Sequence, residues 1–221
     1  MTPLDMNYLT VALPKGKLFD KAVQMLASVG CAAEGLSQDS RKLVISNDDA
    51  KVRFIITKTS DLPTYVEYGA ADIGIIGKDV LLEENKDVYE LLDLKFGYCR
   101  MVAAVPQALR QDKISDYAHM RVATKYPRIA ERFFHSMGIQ MEIIKLNGSI
   151  ELAPIVGLAE LIVDLVETGR TLRENNLVEV AQIQPSTARL IANRVSFKMK
   201  FERINSLAEA LKSLVESEAD K

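Results

Sequence analysis

The sequence predicts an α/β fold in two lobes with mainly parallel sheets, on three observations. Apolar runs of strand length alternate with helix-patterned segments along most of the chain, the order that builds βαβ units. The 221 residues are enough for one large domain or two small ones, with ample length for a core. The alternation breaks near residues 95–105 and 184–195, which predicts two chain crossings. The expected lobes are therefore 1–99 with 190–221, and 100–189. In such folds ligands sit at the carboxyl ends of strands, often between lobes.

Tyr8 to Leu13 reads as the first strand, followed by Pro14-Lys15-Gly16-Lys17. A helix then runs to Val29 with Leu18, Ala22, Leu26 and Val29 on one face and Gly30 past its end. Lys42 to Ser46 and Val52 to Thr57 are strands around an Asn47-Asp48-Asp49 turn. Ser60 or Asp61 is placed to cap a helix with Pro63 in its first turn, stopping at Gly69. Ala71 to Ile76 is a strand whose Gly74 and neighbouring Gly77 allow close backbone approach, and a short helix follows through Glu84. Leu91 to Leu94 and Met101 to Val105 are strands separated by Phe96-Gly97-Tyr98.

The second half repeats the style. Arg121 to Thr124 is a strand; Lys125-Tyr126-Pro127 leads into a helix that ends at Gly138, with Ile129, Phe133, Phe134 and Met137 as its apolar face. Glu142 to Leu146 is a strand closed by Asn147-Gly148-Ser149. Further strands are expected at Val178 to Ile183 and Arg189 to Ala192. The last helix, about Arg203 to Glu216, is amphipathic through Ile204, Leu207, Ala208, Leu211 and Val215.

Between these lies Glu151 to Leu172, the stretch richest in chemistry. Ala159 to Leu165 reads as a buried strand carrying Asp164 near its end. Glu167-Thr168-Gly169-Arg170-Thr171 is a polar turn, and a helix is expected from Leu172 to Asn176 with Thr171 as its N-cap. A strand, a tight turn and a helix start bring backbone N–H groups to one point, two Thr hydroxyls add donors, and the helix dipole adds partial positive charge. That is a socket for a phosphate. Asp164 is placed to accept hydrogen bonds from sugar hydroxyls. The same pattern also serves as a plainly capped loop; the acid before it, the Arg inside it and Glu151 upstream favour the socket.

Other cations stand at strand ends. Lys15, between a strand and a helix beside Gly16, is placed to reach a phosphate or to remain a solvated surface charge. Arg41 and Lys58 are loop or strand-end cations, and taken singly each reads as surface charge. Gly77-Lys78-Asp79 is either a second anion turn or a capped helix start. Arg100 can clamp an anion or pair with a carboxylate. Tyr126 can stack on a base or simply pack.

Composition narrows the classes. Hydrophobic residues at 48% and charged residues at 26% are ordinary for a globular protein. A net charge of −2 argues against nucleic acid as the main partner, while leaving phosphate ligands open, since these need only a local patch. No apolar run reaches the roughly 18 residues of a membrane span. The N-terminal MTPLDMNYLT has no basic or apolar leader pattern, so a cytoplasmic protein is expected. Cys31 and Cys99 suggest neither a disulfide framework nor zinc spacing, and His119 and His135 lie in unrelated contexts, so no His-based metal or triad site is expected.

LPKGKL (13–18), SRKL (40–43), ADIGIIGKDVL (71–81), FGYCR (96–100), ATKYP (123–127), LNGSIELAP (146–154) and GLAELIVDLVETGRTL (157–172) occur in that order in ATP phosphoribosyltransferase. The chain resembles that family over nearly its whole length, in the short form without a C-terminal regulatory domain. The resemblance implies two α/β lobes like those of type II periplasmic binding proteins. It implies attack of ATP N1 on C1 of phosphoribosyl pyrophosphate, with Mg²⁺ present. Thr168, Gly169, Arg170 and Thr171, with Glu167, match the family's 5′-phosphate loop. Asp164 and Glu151 are then placed for the ribose hydroxyls or for Mg²⁺-bound water; Lys15, Arg41 and Lys58 for the phosphates of ATP and the leaving pyrophosphate; Asp79, Leu81 and Tyr126 near the adenine. Where many members carry Arg before Asp-[Ile/Leu]-Pro, this chain has Lys58, which keeps the charge and loses the bidentate fork. The resemblance also implies a regulatory subunit resembling histidyl-tRNA synthetase, in a hetero-octamer. A two-lobed small-molecule binding module and another phosphoribosyltransferase are the alternatives; the common phosphoribosyltransferase type carries two adjacent acids before its loop, whereas only Asp164 ends the strand here.

Overall fold

The computed structural model describes residues 7–219. The chain forms two compact units. The first runs to Gly97 and resumes at Thr187; the second is Tyr98–Ser186. The crossings thus fall at 97/98 and 186/187, against 99/100 and 189/190 from the strand breaks.

The first unit contains β1 (Leu9–Pro14), α1 (Phe19–Ser28), β2 (Val44–Asn47), β3 (Val52–Thr57), α2 (Leu62–Glu67), β4 (Ile73–Gly77), α3 (Lys78–Glu84) and β5 (Tyr89–Asp93). Its sheet has the order β2-β3-β1-β4-β11-β5, where β11 is Ala188–Ala192 from after the second crossing. Successive β1 side chains point to opposite faces. Leu9, Val11 and Leu13 enter one core with Phe19, Ala22 and Leu26 of α1, whereas Ala12 enters the other with Leu62 and Val66 of α2. This two-sided burial is why β1 reads as a nearly continuous apolar run.

The C-terminal part differs from the expectation. Two helices, α7 (Arg194–Met199) and α8 (Phe201–Ala219), replace the single one from Arg203. The α7 start is fixed by Asn193, whose side-chain oxygen accepts from the N–H groups of Val195 and Ser196, both at 2.9 Å. Ile204 and Leu211 of α8 join the α1 side of the core. At the α7–α8 joint, the buried Lys200 ammonium donates to the Tyr8 carbonyl (2.6 Å) and to Asp72 Oδ2 (2.7 Å), and that carboxylate also accepts from Thr10 N–H (2.8 Å).

The second unit holds β6 (Cys99–Pro106), β7 (Arg121–Thr124), α4 (Pro127–Ser136), β8 (Glu142–Lys145), α5 (Leu152–Ile155), β9 (Leu161–Val166), α6 (Arg170–Glu174) and β10 (Leu177–Ser186), with the sheet order β10-β6-β9-β7-β8. β1, β3, β4 and β5 share one direction, with β2 and β11 opposed; β7, β8, β9 and β10 share one, with β6 opposed. The sheets are therefore mixed. The opposed strands β6 and β11 are the first that each unit receives after a crossing. β10 runs on through Pro185 to Ser186, beyond the expected Ile183, because it is an edge strand and can spare a backbone donor.

Candidate active site

Parallel pairing decides what meets at the edge of the second sheet. β7, β8 and β9 run together, so the segments that follow them emerge on one edge. These carry Tyr126, Glu151 and the turn Glu167–Thr171. β6 runs the other way, which sets Arg100, at its start, opposite Val166 at the end of β9.

Asp164 is half-buried on β9, and its Oδ1 accepts from the N–H of Leu165 at 2.8 Å. Burial is the main force on its proton and raises the pKa from 3.8 to about 6; the Leu165 hydrogen bond opposes this, the Glu151 charge adds to it, and Lys125 opposes it. Glu151 and Lys125 thus both act electrostatically on Asp164. Glu151 sits at the N-cap position of α5, a short helix the sequence reading did not resolve because Pro154 falls inside it.

The helix after the turn begins at Arg170, two residues before the expected Leu172. The N-cap is Gly169, at φ +71°, in place of Thr171. A glycine in the left-handed region turns the chain sharply enough to start the helix early, which brings Thr171 into its first turn. Thr168 Oγ1 accepts a long hydrogen bond from Arg170 N–H (3.4 Å), and the exposed Arg170 guanidinium pairs with Glu174 (2.7 Å). Arg100 is engaged with a carboxylate: Nη1 and Nη2 donate to Glu179 at 2.8 and 3.0 Å, and Nη1 also meets Gln182 at 3.3 Å. Tyr126 is buried, its N–H donating to Thr124 Oγ1 at 2.9 Å.

In the first unit the same topological logic holds. Pro14 of β1 is in register with Thr57 of β3, so Lys15 and Lys58 leave the sheet side by side. β2 opposes β3, pairing Val44 with Ile55, so Arg41 precedes β2 at that same edge. All three cations are exposed. The Lys15 segment is pinned by its N–H to the Thr57 carbonyl (2.9 Å), by Thr59 Oγ1 to the Lys15 carbonyl (3.1 Å), and by Gly16 N–H to Gln38 Oε1 (3.1 Å). β4 is parallel to β1 and delivers the start of α3 to this edge. Lys78 is paired with Glu90. Asp79 is buried, its carboxylate folded over Gly77 so closely that a Cβ there would stand 2.3 Å from Oδ1. Leu81 packs in the core with Ala12, Leu62 and Val66.

Three residues near the turn carry no prior assignment: Lys125, Arg173 and Glu179. Lys125 had a signal, as the residue after a strand end. Glu179 had none, because only the pairing of β10 with β6 brings it to Arg100.

Fold and site define an α/β protein with a polar, Gly-containing turn and a half-buried acid at one sheet edge. A model of the ATP phosphoribosyltransferase family matches residues 58–213. A protein named ATP phosphoribosyltransferase from Desulfitobacterium hafniense (strain Y51) is 55% identical over 95% of this chain and 97% of its own length. A solved structure titled as an ATP phosphoribosyl transferase (HisG:HisZ) complex from Thermotoga maritima matches with a TM-score of 0.81 at 36% identity, over 95% of this chain and 99% of that one. The substrate-binding protein of an amino acid ABC transporter shares the fold alone, with a TM-score of 0.62 at 14% identity over 95% of this chain and 94% of that one. The class is that of the pentosyl-transferring enzymes. The chain belongs to the ATP phosphoribosyltransferase family.

Proposed function

We propose that this chain transfers the phosphoribosyl group of phosphoribosyl pyrophosphate to N1 of ATP, releasing pyrophosphate, as the first step of L-histidine biosynthesis in the cytoplasm. The observation that carries the reading is identity of 55% over 95% of the chain to a protein named for the activity. The placement of the 167–171 turn at the same sheet edge as Asp164 supports it.

The N1 lone pair forms the bond to C1 while the bond from C1 to the pyrophosphate oxygen breaks, its electron pair leaving with pyrophosphate. Positive charge builds on the ribose ring between the two events. The adenine nitrogen needs no activation, so no Ser, Cys or His nucleophile is required. The hydroxyls of Thr168 and Thr171 and the amides of Gly169 and Arg170 hold the 5′-phosphate. Asp164, helped by Glu151, accepts from the ribose hydroxyls. A carboxyl whose pKa lies at about 6 is mostly ionised at neutral pH, and so sets negative charge where the ring becomes positive. Lys15, Arg41 and Lys58 attract the phosphates of ATP and of the leaving group.

Among the described residues no group of three or more His, Cys, Asp and Glu side chains could hold a metal ion. Two electrostatically linked carboxylates, Asp164 and Glu151, do suit Mg²⁺, which keeps most of its shell as water and substrate oxygens. Bound, the ion would neutralise the charge of pyrophosphate. A regulatory subunit resembling histidyl-tRNA synthetase, in a hetero-octamer, is the proposed assembly, in line with a structural neighbour solved as a complex.

The test is to mix the chain with ATP, phosphoribosyl pyrophosphate and Mg²⁺, and follow ultraviolet absorbance together with pyrophosphate release. Both should rise in step. Tight binding of either substrate with no pyrophosphate released would favour a binding module and refute the reading.

A further inference from the structure

Arg173 lies outside the phosphate turn, yet its side chain reaches back over it. Nη1 donates to the Thr168 carbonyl at 3.0 Å and stands 3.0 Å from where a Cβ on Gly169 would sit. Glu179 Oε1 is 3.9 Å from that same point, and Glu179 is itself gripped by both Arg100 nitrogens. The side of the turn that carries no side chain is therefore lined by a guanidinium, the Val166 side chain and a carboxylate paired with Arg100.

The Thr168 carbonyl and the Gly169 N–H belong to one peptide unit. The described chain has no cis peptide bond, and in a trans unit these two groups point in opposite directions. Whatever holds the carbonyl on one side holds the N–H on the other. Arg173 draws the Thr168 carbonyl to itself, so the Gly169 N–H is aimed away from Arg173. The freedom that Gly169 has at φ +71° is what makes such a hold useful, since a glycine can rotate its flanking peptides at little steric cost. Arg100 serves the same end by charge: it takes up the Glu179 carboxylate, which would otherwise set an unpaired negative charge next to an anion site.

We propose that Arg173 is a positioning residue. It fixes the Thr168–Gly169 peptide so that the Gly169 N–H faces the 5′-phosphate, without touching the substrate itself. The inference rests on the proposed reading of the 167–171 turn.

The experiment is calorimetry of phosphoribosyl pyrophosphate on the full chain, wild type beside Arg173→Met and Arg173→Lys, with steady-state KM values for both substrates. Methionine keeps a long side chain and removes the donors; lysine restores one. Arg173→Met should bind phosphoribosyl pyrophosphate about tenfold more weakly, the size of one lost hydrogen bond to a charged group. KM for ATP and the melting temperature should stay unchanged, and Arg173→Lys should recover part of the affinity. Unaltered affinity in Arg173→Met, beside a wild type that binds, overturns this inference alone. So does an equal loss for both substrates with a lowered melting temperature, which marks a merely structural role. A wild type that does not bind phosphoribosyl pyrophosphate overturns the reading of the turn, and this inference with it.

Discussion

Replacing Asp164 with Asn should make the protein more stable and less active at once. The carboxyl is shifted from 3.8 to about 6, chiefly by burial, so its ionised form is disfavoured in the fold. A group raised in this way binds its proton more tightly folded than unfolded. Its contribution is most favourable below pH 4 and is lost as pH rises through about 6. At 1.36 kcal/mol per pH unit the ceiling on the cost at pH 8 is about 3 kcal/mol, and partial exposure brings the expectation to about 1–2 kcal/mol. Asn keeps an oxygen for the Leu165 N–H, now held at 2.8 Å, and carries no charge to bury. Urea denaturation at pH 8 should therefore show Asp164→Asn more stable than wild type, with the gap closing by pH 4. Its kcat should fall on the order of a hundredfold, the effect of removing one aligned electrostatic group. A variant less stable than wild type at pH 8 would refute the reasoning about burial. An unchanged kcat would remove Asp164 from the ribose.

Thr168→Val with Thr171→Val should weaken phosphoribosyl pyrophosphate binding in calorimetry by about 1–3 kcal/mol for each charge-assisted bond lost, with no change in circular dichroism since both residues are exposed. Gly169→Ala puts a Cβ at φ +71°, 3.0 Å from Arg173 Nη1; thermal unfolding should show a loss of about 1–2 kcal/mol. Lys200→Met strands the Asp72 carboxylate, 0% exposed, and should cost about 3–5 kcal/mol by urea midpoint, part of which Asp72→Asn in the same chain recovers.

Most of the fold is legible because burial writes itself into composition. β1, β3, β4 and β9 are largely apolar because residues on both of their faces are buried, and each shows as a dense run. The glycines at 30, 69 and 138 mark helix ends because the chain there needs φ near +70° to +77°. What the sequence conceals is set by distant contacts. The start of α7 depends on Asn193, whose amide also donates to the carbonyls of Val66 and Glu67 at 2.9 Å; one residue cannot announce partners more than a hundred positions away. At the site, Asp164, Glu151 and the turn are legible because their spacing is local. The Arg100–Glu179 pair is not, since its two residues lie on strands joined only by sheet pairing and out of register with each other. Thr171 misleads for the opposite reason: it is a good cap by type, and Gly169 outcompetes it by conformation.

The interleaved connectivity of the first unit constrains how the chain is made. Among the described residues β5 is an edge strand whose sole neighbour in its sheet is β11. β11 leaves the ribosome only after all of Tyr98–Ser186 has been synthesised. The first unit thus begins first and cannot close first: β5 waits without a pairing partner while the second unit, continuous in sequence, has everything it needs. Domains generally fold as units, at about 5–20 residues per second of synthesis. The second unit thereby has its last strand, β10, in hand just before the sheet that Lys15 and Lys58 leave gains its last internal strand, β11. Lys200, reaching back to Tyr8 and Asp72, then seals a structure whose two ends were separated for nearly the whole of translation.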